Sequence, residues 1–258
     1  MVRKVAAFDV IGTCFGFSNI VQAIEEEFGA ELKQAGTTSS HVMTSWYTQA
    51  TRDFTFLSVS EQYTPTAKVF EATLPRVLAT ALDPSPQYPS ISRVTTFPED
   101  KLKRIVAELP KLPARPGLVD AFGTLQRAGF EVYAVSNGSK QTVQGLFDAV
   151  DSPRKPEIFT SSAFEKRIVS CDDLKTAKPS PQVYRHALDI TGADPAKGDI
   201  CWFIAAHSWD LLPARKAGFK TGYVTFEEIV GCEEIFGKPD ATEDGLAKLA
   251  KTIVDQSS

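Results

Sequence analysis

The chain has 258 residues, 43% hydrophobic and 23% charged, with a formal net charge of −4. This is the composition of a globular protein large enough for one core domain carrying an insertion. The acidic balance and the lack of any Lys/Arg run argue against a nucleic-acid partner, and no apolar run approaches the roughly 20 residues of a membrane span.

Arg3 and Lys4 lead straight into an apolar run, so no signal peptide is expected. Val5-Ala6-Ala7-Phe8 reads as a buried strand ending on Asp9, with Gly12 and Thr13 suited to a tight turn. Ligands of open α/β sheets bind beyond the carboxyl ends of the strands, which places Asp9 for chemistry. Asp also favours turns and caps, and from this stretch alone the two readings are balanced.

Residues 18–29 read as a helix with Ile20, Val21, Ile24 and Phe28 on one face and Gly29 at its end. A second helix runs from about His41 to Leu57, with Val42, Trp46, Ala50 and Phe54 at four-residue spacing. A third runs from Thr64, as N-cap, to about Leu82, with Pro65 in its first turn and Pro75 placed to kink it. Residues 83–98 hold Pro84, Pro86, Pro89 and Pro98 and read as loop; 99–109 is a fourth helix, ended by Pro110 and Pro113. No strand is expected between residues 16 and 115.

The pattern then alternates. Helices are expected at Leu118–Ala128, Thr142–Val150, from Ser180 as cap to about Thr191, at Leu211–Ala217 and at 243–255. Strands are expected at Phe130–Val135, Ile158–Thr160, Asp199–Ile204 and Lys220–Val224. Strands alternating with helices give a parallel sheet covered on both faces. The core is therefore residues 1–15 plus 115–258, and 16–114 is an inserted helical cap. Cys14, Cys171, Cys201 and Cys232 are scattered with no CxxC pair, which fits reduced thiols in a cytoplasmic protein rather than a disulfide or zinc framework.

This topology brings Asp9, Ser136 with Asn137, Lys178 and Asp210 to one sheet edge. A carboxylate nucleophile, a hydroxyl, an ammonium and a second carboxylate form a workable catalytic set. An ammonium beside a carboxylate favours its ionised form. Each member also has an ordinary reading: a turn for Ser136-Asn137-Gly138, a solvated lysine for Lys178, an N-cap for Asp210.

The ordered set Phe8-Asp9-x-x-Gly12-Thr13, Val135-Ser136-Asn137-Gly138, Lys178-Pro179-x-Pro181 and Trp209-Asp210-x-x-x-Ala214-x-x-Ala217-Gly218 resembles the haloacid dehalogenase superfamily. Tyr184, six residues after Lys178, together with Trp209-Asp210 and the segment Asp53-Phe54-Thr55-Phe56-Leu57, is similar to its type II, L-2-haloacid dehalogenase-like branch. The resemblance covers the whole core. It implies a doubly wound α/β core with a helical cap, and a hydrolase in which Asp9 displaces a leaving group from carbon to give an aspartyl ester. Asp210 would position or deprotonate the water that opens the ester, and Lys178 would steady both carboxylates. Thr13, Ser136 and Asn137 would hold substrate or nucleophile. Further substrate contacts are expected from Ile11, Tyr184, His207 and Trp209, and from Trp46, Thr48 and Arg52 on the cap.

The departures from the family pattern are equally specific. Ile11 stands where phosphatases of the superfamily carry an acidic general acid and type II dehalogenases usually carry Tyr. Thr48 stands where the halide-receiving Arg is expected, with Arg52 one helical turn on, either its substitute or a surface charge. Ala205 and Ala206 replace small polar residues, and His207 replaces an amide; it reads as a base, a hydrogen-bond donor or a buried structural His. Ala206 also occupies the position of a metal-holding acid, so no metal, no cofactor and no magnesium-dependent phosphatase activity are expected. The expected partner is a small molecule; a homodimer stays open. A lyase, isomerase or cyclase using Asp9 or His207, and a non-catalytic binding protein, are the competing readings.

Overall fold

The computed structural model of the protein describes residues 2–83, 96–156, 159 and 162–257. The chain divides into two compact units, Met1–Gly16 with Ala114–Ser258, and Phe17–Pro113.

Strand β1 (Lys4–Asp9) opens the chain, and the second unit follows it with α1 (Ser18–Gln34), α2 (Ser39–Val59), α3 (Thr66–Ala81) and α4 (Glu99–Val106). Gly29 does not end α1. The buried stripe continues from Phe28 to Leu32, and the helix stops before Gly36, whose φ of 74° is the left-handed conformation that suits a helix exit. Helix α2 starts earlier than expected because the Thr38 hydroxyl caps it, accepting the His41 N–H at 3.2 Å. Thr64 is not the cap of α3; its hydroxyl donates to the Gln62 carbonyl, and Pro65 holds the cap position. Val69, Phe70, Leu74, Val77 and Leu78 of α3 are buried, and α2 packs along this helix. Most of the loop expected at 83–98 lies outside the described residues.

The first unit resumes with α5 (Leu118–Arg127), β2 (Phe130–Ser136), α6 (Lys140–Asp148), α7 (Ser162–Glu165), β3 (Ile168–Ser170) and α8 (Cys171–Leu174). Then follow α9 (Pro181–Thr191), β4 (Ile200–Ala205), α10 (Ser208–Ala217), β5 (Lys220–Val224), α11 (Glu233–Phe236), β6 (Ala241–Glu243) and α12 (Leu246–Asp255). The sheet order is β3-β2-β1-β4-β5-β6, with every neighbouring pair parallel. The elements also depart from expectation in places. The strand placed at 158–160 falls, apart from Phe159, outside the described residues, and β3 lies further along. The three-residue β6 was not expected. Asp210 sits in the first turn of α10 rather than at its cap, which is His207, and Ser180 makes no side-chain capping bond to α9.

The register sorts the sheet into two covered faces. Phe8 pairs with Ile204, and Ile204 with Gly222; this face meets α5 through Phe122 and α12 through Leu249 and Ile253. Ala7 pairs with Phe203, and this opposite face meets Tyr184 of α9. Asp9, two residues after Ala7, therefore leaves β1 on the α9 side. Between β1 and α6, the Phe147 ring touches Phe15, Phe122, Phe159 and Phe164 at centroid distances of 5.0, 5.6, 4.9 and 4.9 Å. Phe147 is fully buried. Phe147→Ala removes the hub of this cluster and is expected to lower unfolding stability by about 3–5 kcal/mol, measured by urea denaturation.

Candidate active site

Strand β1 ends on Asp9, and the chain reverses at once. Gly12 takes φ 94°, donates its N–H to the Phe15 carbonyl, and lets Cys14 and Phe15 donate back to Val10. This turn folds Thr13 onto Asp9: the Thr13 hydroxyl donates to Asp9 Oδ2 at 2.6 Å and accepts the Ala206 N–H at 2.8 Å. The β1 and β4 ends are thus tied side by side.

Lys178 precedes α9 and is 1% exposed. Its Nζ lies 2.5 Å from Asp9 Oδ1 and 2.6 Å from Asp210 Oδ2. The Tyr184 hydroxyl donates to Asp210 Oδ1. The ammonium also stands over the Trp209 and Phe203 rings at 5.8 and 5.9 Å. Burial opposes the charge on Lys178, but Asp210 and Asp9 outweigh it and hold the ammonium above its ordinary range. Burial also pushes Asp210 up to about 6, against the pull of Lys178. The Tyr184 phenol is driven well above its usual value by burial and by Asp210. His207 is 6% exposed and packs on Trp209 at 5.6 Å; burial lowers its imidazole against the upward pull of Asp9 and Glu228. Burial thus favours its neutral form.

Asn137 accepts the Lys178 backbone N–H at 3.0 Å, which fixes the loop bearing the ammonium. Ser136 accepts the Gly138 N–H at 3.0 Å, and Ser170 on β3 donates to the Gly138 carbonyl at 2.9 Å. Both Ser136 and Asn137 thus organise the turn at the end of β2. The Ile11 side chain lies beside Gly138. Asp9, Thr13, Lys178, Tyr184 and Asp210 form one connected hydrogen-bonded group, and His207 and Trp209 adjoin it.

Three expected substrate contacts belong to the helical unit. Trp46 is fully buried, and its indole N–H donates to the Phe70 carbonyl at 2.9 Å and to Thr73 at 3.1 Å, so it serves the interior of that unit. The exposed Thr48 hydroxyl donates to the Thr44 carbonyl at 2.9 Å. Arg52 is exposed and pairs with Asp53, which also pairs with Arg76. The sequence pattern does not mark Ser170, Arg115, Ser208 or the neighbouring Glu227 and Glu228; Ser170 ends the three-residue β3, too short to show an alternation, and the others stand in turns or loops or at a helix start. Among the described residues, no group of three or more His, Cys, Asp or Glu side chains is arranged to hold a metal ion.

A family model of haloacid dehalogenase-like hydrolases matches residues 3–218, and the chain belongs to this family. A relative, (S)-2-haloacid dehalogenase 4A of Burkholderia cepacia, is 31% identical over 121 residues, 46% of each protein; the chain thus spans about half the length of this relative. An (S)-2-haloacid dehalogenase of Pseudomonas putida is 23% identical over 253 residues, covering 96% of this chain and 95% of that protein. The fold is shared with the L-2-haloacid dehalogenase of Xanthobacter autotrophicus at a TM-score of 0.72 and 16% identity, covering 97% and 98% of the two chains.

Removing Lys178 leaves two buried carboxylates without their cation. Lys178→Met is expected to cost about 3–5 kcal/mol at pH 7.5 by urea denaturation. The sign with pH follows from burial. Asp210 is already raised from 3.8 to about 6, so the folded state holds its proton more tightly than the unfolded chain. Stability from that proton is present at low pH and is lost as pH rises through about 6. Without Lys178 the window moves higher, so the deficit of the variant should shrink as the pH is lowered toward 5.

Proposed function

We propose that the chain is a dehalogenase-type hydrolase that displaces a leaving group from a saturated carbon with Asp9. The observation that carries this reading is the buried Lys178 ammonium held between Asp9 and Asp210. Asp9 has a cation on one oxygen and the Thr13 hydroxyl on the other, which holds the carboxylate at a defined angle. A carboxylate oxygen forms the new C–O bond, and the leaving group departs with the electron pair of the bond it breaks. Water then adds to the Asp9 carboxyl carbon, its proton passes to Asp210 and from there to the departing oxygen as the acyl C–O bond breaks, and the product alcohol leaves with the oxygen Asp9 supplied. Lys178 stabilises the charge on both carboxylates through the two steps.

Phosphoryl transfer is not supported. Two carboxylates facing one ammonium already leave a net negative centre, and a phosphate dianion would add to it. Ala206 offers no side-chain oxygen for a magnesium ion, which favours hard oxygen ligands in octahedral array, and the Ile11 side chain has no proton to give a leaving alcohol.

Asp9→Asn should abolish turnover and leave the near-UV circular dichroism unchanged. In a single turnover with enzyme in excess in oxygen-18 water, the new oxygen of the product should be unlabelled. Label in the product of that first turnover would rule the ester route out.

Asp210 must be unprotonated to receive the proton of water. The rate of ester hydrolysis, followed by quenched-flow intact mass, should therefore fall as pH drops below about 6. A rate flat from pH 8 to 4.5 would remove Asp210 from this role.

Short-chain 2-haloacids should be poor substrates. Ile11 offers no hydrogen-bond donor, the Thr48 hydroxyl is spent on its own helix, and Arg52 is engaged by Asp53. A departing halide needs donors or positive charge. Chloride release from 2-chloropropionate should give a kcat/KM below about 10⁴ M⁻¹s⁻¹; a higher value would show that other groups stabilise the halide.

A further inference from the structure

The loop after β5 carries two adjacent carboxylates, Glu227 and Glu228, that reach the two turns bearing Asp9 and Asp210. Glu228 Oε2 accepts both the backbone N–H and the hydroxyl of Ser208, each at 2.9 Å. Ser208 is the first residue of α10, two before Asp210, and a carboxylate there is also favoured by the helix dipole. The Tyr223 hydroxyl donates to the Glu228 carbonyl and pins that residue to the end of β5. Glu227 pairs with Arg115. The Arg115 guanidinium stands over Phe226 at 5.0 Å, and its Nε donates to the Gly12 carbonyl at 3.3 Å. The Arg115 backbone N–H donates to the Cys14 carbonyl at 2.8 Å. Gly12 and Cys14 belong to the turn that folds Thr13 onto Asp9.

One short segment therefore braces both halves of the reaction centre. We propose that Glu228 and Glu227 are positioning residues: Glu228 sets the start of α10, and so Asp210, for ester hydrolysis, while Glu227, through Arg115, sets the turn after Asp9 for ester formation. The assignment rests on the reading of Asp9 as nucleophile and Asp210 as the group that receives the proton of water. It divides the chemistry between two neighbouring residues, and a purely structural role would not do so. Small displacements suffice, since a misplacement of about 1 Å at a reacting group costs on the order of 10²-fold in rate.

The test uses the full chain with Glu227→Ala, Glu228→Ala and Glu228→Gln. Single turnovers with 2-bromopropionate, quenched and weighed as intact protein, separate ester formation from ester hydrolysis. Glu228→Ala should slow hydrolysis about tenfold and leave formation within about twofold, so the ester accumulates. Glu228→Gln keeps an oxygen that accepts the Ser208 N–H and should restore hydrolysis. Glu227→Ala should do the reverse, slowing formation about tenfold with hydrolysis little changed. Amide hydrogen exchange of the substrate-free proteins should speed up in residues 207–212 for Glu228→Ala and in residues 9–15 for Glu227→Ala. Equal slowing of both steps in both alanine variants, or no change in either step, overturns the proposal. If the wild type forms no ester from 2-bromopropionate, that agrees with the poor handling of short-chain 2-haloacids expected above and leaves the nucleophile reading to its own oxygen-18 test, and exchange decides the bracing: it stands if each alanine variant loosens its own segment and falls if neither does.

Discussion

A single ammonium shared by two buried carboxylates is the constraint on which the core unit depends. Lys178, Asp9 and Asp210 are each at most 5% exposed. Such charges are tolerated inside a protein only when each is paired and its remaining hydrogen-bonding sites are filled. Thr13 fills the second oxygen of Asp9, Tyr184 fills that of Asp210, and two aromatic faces line the ammonium. The parallel register follows the same demand: only with β4 beside β1 can the Thr13 oxygen reach the Ala206 amide while α10 delivers Asp210. Tyr184 and Phe203 meet edge to face at 5.3 Å beside the site and join it to the apolar interior.

Much of this organisation is legible in the sequence. The apolar run before Asp9, the alternation of Phe130–Val135 and the segment Lys220–Val224 after the helix stop at Gly218 each mark a strand that the sheet contains. The three-residue strands β3 and β6 are too short to show an alternation and owe their conformation to the strand beside them. Gly29 marks no helix end because burial of Phe28 and Leu32 outweighs the roughly 1 kcal/mol that glycine costs inside a helix. Among the site residues, Asp9, Lys178 and Asp210 stand at motif positions and can be read directly. That Asn137 would bind a backbone amide of the lysine loop, or that Glu228 would reach Ser208, depends on loop paths that carry no periodic signal.

The apolar replacements around the site have a common physical effect. Ala205 and Ala206 are fully buried, Ile11 lies beside Gly138, and burial favours the neutral form of His207. The polar atoms that remain are directed at one another. Charge in this centre is therefore concentrated in three side chains, and a change to one of them is felt by the other two through a poorly screening medium.

The central strand β1 also precedes every one of its sheet partners in the chain. β1 lies between β2 and β4, and Lys178 is separated from Asp9 by 169 positions along the chain. During translation Val5–Phe8 emerges as an apolar segment whose hydrogen-bonding partners on both sides do not yet exist. The intervening helical unit has contacts of its own and can assemble while β1 waits. The charge centre is then among the last features to form, since its three members meet only after a long loop has closed. Between the synthesis of β1 and that of β2 and β4 the nascent chain thus carries an unpaired strand edge, the kind of extended apolar segment that is exposed to wrong pairing until its partners arrive.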